Sequence, residues 1–472
     1  MGSGAPLCGL NAFSIPREDF MARSDADMTQ GSIWRHLLRF SIPMAVGLLF
    51  QQLYNTVDTM VVGHFVGQQA QAAVGSTSPI INTIVGFCAG LATGASVIIS
   101  QRYGAHDHQG LSRAVHTTIL VTVFLSAAAT LLGLAIIDPM LRFMQTPEDV
   151  MNESRTYLSI YFSGVAGVLF YNMGSGILKA VGDSRRPLVF LIISAGLNIV
   201  LDLLFVLSLG MGVDGVAYAT ILSQIISAAL ILITLAREEG DYGLRLKKLR
   251  LSRDSLSGIL RIGLPSSIQS AITAFSNVFV QGYINFFGSA CMAGYGIYNK
   301  VDAFVLIPVQ AIAMSSTTFV GQNWGARQPR RAREGVKTAT VMSLISTVTL
   351  GVMVFLLART LLSLFSPKPE VIAYGERFIR IVTPFYFTIC FNQIYAGALR
   401  GIGDATMPTV IMLCSFVVFR QIYLAVTRAL GAGFLAVALA YPVGWVMCST
   451  LLILRYRTSA LCKSAETKNA AL

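Results

Sequence analysis

Five side chains in the first half of this 472-residue chain have types and spacings suited to holding a small cation: Tyr54 and Asp58, Asn198 and Asp202, and Thr220. Each acid has a hydrogen-bonding neighbour four residues earlier, so both members of a pair project from one helix face, a turn apart. Two carboxylates, an amide oxygen, a hydroxyl and a phenol form a set of hard oxygen ligands. Two carboxylates sharing a low-dielectric pocket also repel one another and compete for a proton. The chemistry predicted is reversible capture of H⁺ or Na⁺. If the ion is Na⁺, its ligands are Asp58, Asn198, Asp202 and Thr220.

The surroundings make these acids unusual. Asp58 lies near the end of the first long apolar segment, where a carboxylate costs a few kcal/mol or more and normally faces a cavity, a partner or an ion path. The chain is 54% hydrophobic and 12% charged, about half the charge of an ordinary soluble domain, which marks it as a membrane protein. Its 42 glycines suit helices that approach closely through small residues. The net charge of +12 resides in short loops and not on one hydrophilic face, so it reads as a topology signal and argues against nucleic-acid binding. The seven cysteines are scattered without CxxC spacing, and the five histidines contain no HExxH. No cofactor is expected, and no cluster suggests an enzyme.

A helix crosses a bilayer in about 20 apolar residues, and twelve such spans are expected: 37–62, 72–99, 114–137, 156–178, 187–208 and 214–236, then 258–286, 293–319, 336–358, 377–398, 407–429 and 433–455. The fold class is therefore all-α integral membrane. A polar extension (1–31), which contains an alternative start at Met28, precedes a first lobe (32–236), a linker (237–257), a second lobe (258–457) and a polar tail (458–472). The extension is expected to lack order.

The lobes repeat at an offset of 221 residues: Gln101-Arg102-Tyr103-Gly104-Ala105 returns as Gln322-Asn323-Trp324-Gly325-Ala326, and Leu178 to Asp183 with Pro187 returns as Leu399 to Asp404 with Pro408. Six spans per unit insert both halves the same way up, related by an axis along the membrane normal. Lys and Arg concentrate in loops after even spans, in the linker and in the tail, which predicts cytoplasmic termini.

Helical rise puts Asp58, Asp202 and Thr220 all in the outer half of the bilayer. Under the offset their counterparts are Val280, Tyr423 and Tyr441, and Asn198 falls on Phe419. The second half keeps the fold without the acids, which favours ion coupling over a purely structural polar contact. Pro43 and Pro265 are expected in the first turns of spans 1 and 7, as static bends or as hinges.

The paired repeats, the early proline, Val57-Asp58-Thr59, the Gln-x-x-Gly-Ala loop and the Gly-Asp-x-x-x-Pro loop together resemble the multidrug and toxic compound extrusion (MATE) family over about residues 32–457. The resemblance implies a V-shaped, two-lobed antiporter exporting amphipathic, often cationic, compounds in exchange for H⁺ or Na⁺. It also implies that the family's helix 4 asparagine, on Asn172, joins the other five ligands, and that Pro43 governs bending of helix 1. The second lobe lacks the acids that some branches carry on helices 7 and 10, so the chain resembles the DNA-damage-inducible bacterial branch. A lipid-linked saccharide flippase of the same superfamily is the alternative; Lys300 and Arg420 are the basic side chains set well inside spans, whereas flippases carry a strongly basic cavity.

Gln52, Asn55, Asn277, Gln281, Tyr298, Lys300, Asp302, Asn392 and Gln393 are the candidates for lining a substrate cavity. Lys300 and Asp302, two residues apart, cannot face each other on a helix and need separate partners. The expected partners are a small amphipathic substrate and membrane lipid, with the protein a monomer in the inner (plasma) membrane.

Overall fold

The computed structural model describes residues 27–144 and 146–464, and every regular element among them is helical. The first six passages are α1 (Ile33–Val61) with a π turn (Val62–Val66), α2 (Gln68–Gly104), α3 (His108–Phe143), α4 (Glu148–Ser163) with α5 (Val165–Ala180), α6 (Arg185–Leu203) with a π turn (Leu204–Ser208), and α7 (Val213–Arg237). The second six are α8 (Arg253–Asn285), α9 (Ser289–Gly325), α10 (Pro329–Ser363), α11 (Pro369–Val382) with α12 (Tyr386–Gly401), α13 (Thr406–Leu413) with a π turn (Cys414–Phe419) and α14 (Arg420–Ala429), and α15 (Phe434–Arg457).

Nine of these passages, among the described residues, are long and apolar enough to cross a membrane. Spans 4, 7 and 10 fall outside that set for local reasons. Spans 4 and 10 break midway, at Gly164 and at the 3₁₀ turn Thr383–Phe385, which carries Pro384. Span 7 is continuous but rich in serine: Ser267 and Ser270 meet α2, and Ser276 meets Arg420 and Gln421 of its own half.

The duplication is visible in the backbone. Gly67 and Gly288, His106 and Arg327 (φ 52° and 57°), Gly182 and Gly403 (92° and 95°), and Gly210 and Gly431 (64° and 66°) are all left-handed, and the members of each pair stand at the repeat offset. The tightest junction obeys the same symmetry. Gln101 Nε2 donates to Gly401 O at 2.7 Å, and Gln322 Nε2 donates to Ala180 O at 2.9 Å. A methyl on Gly104 would stand 1.9 Å from Gln322 O, and one on Gly325 would stand 1.9 Å from Gln101 O.

From this end the halves stay in contact along α2 and α8, where Ser267 Oγ donates to Phe87 O at 2.6 Å, and along α1 and α9, where Ser315 Oγ donates to Leu37 O at 3.3 Å. A methyl on Gly90 or Gly94 would overlap the backbone of Ser267 or Gly263. The contact thins at Gly86 against Ser270; beyond it, methyls on Gly75, Gly282 and Gly296 would meet nothing within 4 Å. The two halves therefore close at the end bearing Ala105 and Ala326 and part toward the other.

Several expectations are corrected. Helix α1 starts at Ile33 and α8 at Arg253, so Pro43 and Pro265 lie inside their helices, not in the first turns. Most of the extension (1–26) lies outside the described residues, as does 465–472, but residues 27–31 form an ordered turn with Met28 only 2% exposed. The tail begins with a helical turn that buries Leu461 and Cys462 against Met28 and Leu37, because the ends of α9, α10 and α15 leave an apolar recess there. The linker is fastened to α3: Arg245 N donates to His116 Nε2 at 3.0 Å, and Ser252 N donates to Thr117 Oγ1 at 3.1 Å.

Candidate cation site

The two acids lie where their helices depart from α geometry. Asp58 precedes the π turn Val62–Val66, Asp202 precedes the π turn Leu204–Ser208, and these two turns pack against each other. A π turn widens the helix and resets the direction of the side chains beside it, a device frequent at functional sites. Toward the end of the first half remote from Gln101, Asp58 and Asp202 thus come side by side. Tyr54 reaches toward Thr220 on α7.

Asn198 and Asp202 are 0% exposed and Thr220 is 7% exposed, while Tyr54 and Asp58 are half-buried. Although these groups approach one another, Asp58 Oδ1, both Asp202 oxygens, both Asn198 amide atoms and Thr220 Oγ1 find no protein partner in good hydrogen-bond geometry. Buried polar atoms are ordinarily paired, and leaving one unpaired costs about 1–3 kcal/mol. Their concentration in one pocket marks a place built for a ligand. Among the described residues no ion pair reaches either acid; Arg155 and Arg186 pair elsewhere, with Asp138 and with Asp183 and Glu238. The donor set fits a proton or a small hard cation. Among the described residues no group of three or more His, Cys, Asp or Glu gathers as a softer metal would require.

Tyr157 and Tyr161 on α4 complete the wall beside Tyr54, Asp58 and Asp202. Tyr157, 4% exposed, was not singled out from the sequence. Its spacing of four from Tyr161 on a half-length polar helix is the signal that could have found it. Asn172 stands apart. It is roughly 12 Å from the Ala180 end of α5, whereas Asp202 is roughly 25 Å from the Arg185 end of α6, and its Nδ2 donates to Val168 O at 2.8 Å.

The matching volume of the second half is filled. Val280 is fully buried in a cluster with Tyr295, Tyr298 and Tyr386, against which Tyr423 and Tyr441 pack. Tyr298 stacks on Phe378 at 5.5 Å and 15°, and the hydroxyls of Tyr295 and Tyr441 bond each other. Arg420 spans the cluster, its guanidinium 5.4 Å above the Tyr441 ring while it donates to Ser276 Oγ at 3.0 Å and Asn277 Oδ1 at 2.9 Å. These contacts give Arg420 a structural role.

The cavity candidates divide accordingly. Tyr298 and Asn392 are each 1% exposed and belong to the core, Asn392 donating to Trp445 O at 3.3 Å, so neither lines a cavity. Gln52, Asn55, Asn277, Gln281, Lys300, Asp302 and Gln393 retain accessible surface. Gln281 is engaged with Asn285, and Lys300 lies over the Phe365 ring. Asp302 accepts from the Tyr386 hydroxyl at 2.6 Å and the Tyr298 hydroxyl at 3.4 Å, so Lys300 and Asp302 do have separate partners.

Comparison with known proteins agrees with this architecture. The MatE family model matches residues 43–204 and 263–453, one block in each half. The chain is 27% identical to the probable multidrug resistance protein YpnP of Bacillus subtilis (strain 168), over 91% of this chain and 96% of that one. It is 30% identical to the probable multidrug resistance protein YoeA of the same organism, over 81% and 84%. A crystal structure of MATE in complex with MaL6 superposes with a TM-score of 0.88 at 25% identity, covering 93% of this chain and 99% of that one. The chain belongs to the MatE family of multidrug efflux transporters, and it is a membrane carrier and not an enzyme.

Proposed function

We propose that this protein is an H⁺- or Na⁺-coupled antiporter that exports amphipathic, cationic small molecules, with the coupling ion carried by Asp58 and Asp202 of the first half. The observation that carries the reading is the buried, unpaired carboxylate pair with its orphaned amide and hydroxyl, set against an aromatic core at the equivalent place in the second half. A duplicated scaffold that needed acids for folding would need them twice.

In this reading residues 32–236 form the N-lobe, 237–257 the linker and 258–457 the C-lobe, with both termini and the linker cytoplasmic in the inner membrane of a cell. The conformation described is then outward-open: the cytoplasmic ends meet through Gln101 and Gln322, and the cleft faces outside. An external cation enters the acid pair and favours the substrate-releasing state; the lobes then rock, the cation leaves inward and fresh substrate binds. A preference of about 1.4 kcal/mol between the two states already gives tenfold bias. Pro43, inside α1 and between the contact at Leu37 and the acid at Asp58, is placed to let ion occupancy bend the helix. The reading also takes the transporter to act as a monomer.

The test is transport by purified protein in liposomes under imposed pH or Na⁺ gradients, with a panel of cationic dyes. Dye movement against its gradient, driven by one of the two ions, is the expected result. Downhill leak indifferent to both gradients would refute it.

A further inference from the structure

The five residues ahead of α1 are bound by the opposite half. Asp27 Oδ1 accepts from Thr29 N at 2.8 Å and Thr29 Oγ1 at 2.6 Å, closing a turn. Gly31 then takes φ +75°, and a methyl there would stand 3.1 Å from His36 Nε2, which bonds Gln30 O at 2.7 Å. The turn presents its carbonyls outward, and the fork of Arg331 on α10 collects them. Nε and Nη2 donate to Met28 O at 3.2 and 3.1 Å, Nη2 to Gln30 O at 2.7 Å, and Nη1 to Gly31 O at 2.8 Å. Asn323 Nδ2 adds a bond to Met28 O at 3.2 Å, and Gln322 Oε1 accepts from Met28 N at 3.0 Å.

Gln322 is the same side chain whose Nε2 bonds Ala180 O across the junction of the halves. The strap and the closed junction therefore share one amide. A guanidinium can reach three carbonyls at once because its donors form a rigid planar fork; a lysine ammonium is a point charge and cannot. The repeat supplies a contrast. Under the 221 offset Arg331 falls on Gly110, and the segment ahead of α8 is held on α3 by the single bond from Ser252 N to Thr117 Oγ1 with the Arg102 to Asp254 ion pair beside it.

We propose that Arg331 is a positioning residue for alternating access: it latches residues 28–31 onto the second half and so holds the junction at Gln101 and Gln322 shut. The junction cannot part without α1 drawing this strap off α10, because the strap leads directly into α1 and α1 belongs to the first half. Breaking the latch shifts the resting population toward the state open at this end. The proposal rests on the alternating-access reading above, but not on which ion drives it or on the acid pair.

The experiment is double electron–electron resonance on full-length protein in lipid nanodiscs, with spin labels at Gln109→Cys on α3 and Lys337→Cys on α10 and with Cys8 and the exposed Cys414 replaced by serine. Arg331→Ala is expected to raise the ratio of the long to the short distance population about tenfold, a shift of about 1.4 kcal/mol. Arg331→Lys is expected to fall between Arg331→Ala and wild type. Gly31→Val attacks the same latch from the strap side and is expected to move the distribution the same way, which keeps the test open if Arg331→Ala does not fold. A wild-type distance distribution in a folded Arg331→Ala or Gly31→Val protein, including one that only melts earlier, overturns the proposal. Asp58→Asn/Asp202→Asn protein that has lost ion-driven transport but keeps the Arg331-dependent shift would separate a failure of coupling from a failure of the latch.

Discussion

Replacing Asp202 by Asn removes one charge from the acid pair while keeping the side chain's shape and its place beside Asp58. Asp58 and Asp202 are electrostatic neighbours, and any two like unit charges about 4 Å apart in an effective dielectric near 20 repel by roughly 4 kcal/mol. Capture of one cation relieves that repulsion, which corresponds to about three powers of ten in affinity. This is the free energy available for coupling, because an ion can bias two conformations only by its difference in affinity between them. Asp202→Asn deletes the repulsion and with it the difference. Gradient-driven efflux of a cationic dye from proteoliposomes is expected to drop by roughly 100-fold or more, while dye binding to the purified variant stays within about threefold of wild type. Because the two acids act as a unit, Asp58→Asn/Asp202→Asn should be no worse than either single variant. A single variant that retains more than about a tenth of the wild-type gradient-driven rate refutes the reasoning.

Three further outcomes follow from the packing. Gly104→Ala would place a methyl 1.9 Å from Gln322 O, and Gly325→Ala would do the same to Gln101 O; both should abolish dye efflux by preventing closure, with purification yield and melting temperature little changed. Arg420→Ala removes the donor to Asn277 Oδ1 and one of the two donors to Ser276 Oγ, which keeps Gln421 Nε2. It should cost about 1–3 kcal/mol of stability, read as a lower melting temperature, yet leave ion coupling intact. Asp107 caps α3 by accepting from Gly110 N at 2.9 Å, and that amide, followed by Arg102, holds its carboxyl below the usual carboxylate range. Asp107→Ala should cost about 1 kcal/mol near neutrality. Since the folded carboxyl is the more acidic one, this stabilisation is complete above the ordinary carboxylate range and is lost as pH falls through the lowered value, so wild-type and variant melting curves should converge in acid.

The fold was readable because its signals are global. Twelve apolar runs and an offset of 221 residues survive any local irregularity, and left-handed residues such as Gly182 and Gly403 had already shown themselves as Gly-Asp loops. Residue spacing alone, i and i+4 on two helices, put Asp58 and Asp202 on faces that meet. What spacing could not give was the contribution of α4: Tyr157 reaches the acids because span 4 breaks at Gly164, whose added methyl would strike Ile221 Cγ2 at 2.0 Å, and that break redirects the outer half-helix. For Asn172 the family pattern fixes a residue type, not how far along the span its amide is used.

The second half shows the other limit. Tyr298 and Asn392 looked like cavity residues because polar and aromatic types inside spans suit a binding surface, but their partners, Phe378 and the Trp445 carbonyl, come from chain segments far away and fill the space. Composition also misjudged residues 27–31, whose polar side chains matter less than the backbone carbonyls of Met28, Gln30 and Gly31, which bond Arg331.

The most direct measurement of the central assignment is the count of ions released when dye binds. Purified wild-type protein in weakly buffered detergent solution, mixed with a cationic dye, should release H⁺ as a pH change, or Na⁺ as a signal at a sodium-selective electrode. Asp58→Asn/Asp202→Asn protein should bind the dye and release neither. Equal release from the double variant and the wild type would place the coupling ion elsewhere in the molecule and contradict the account.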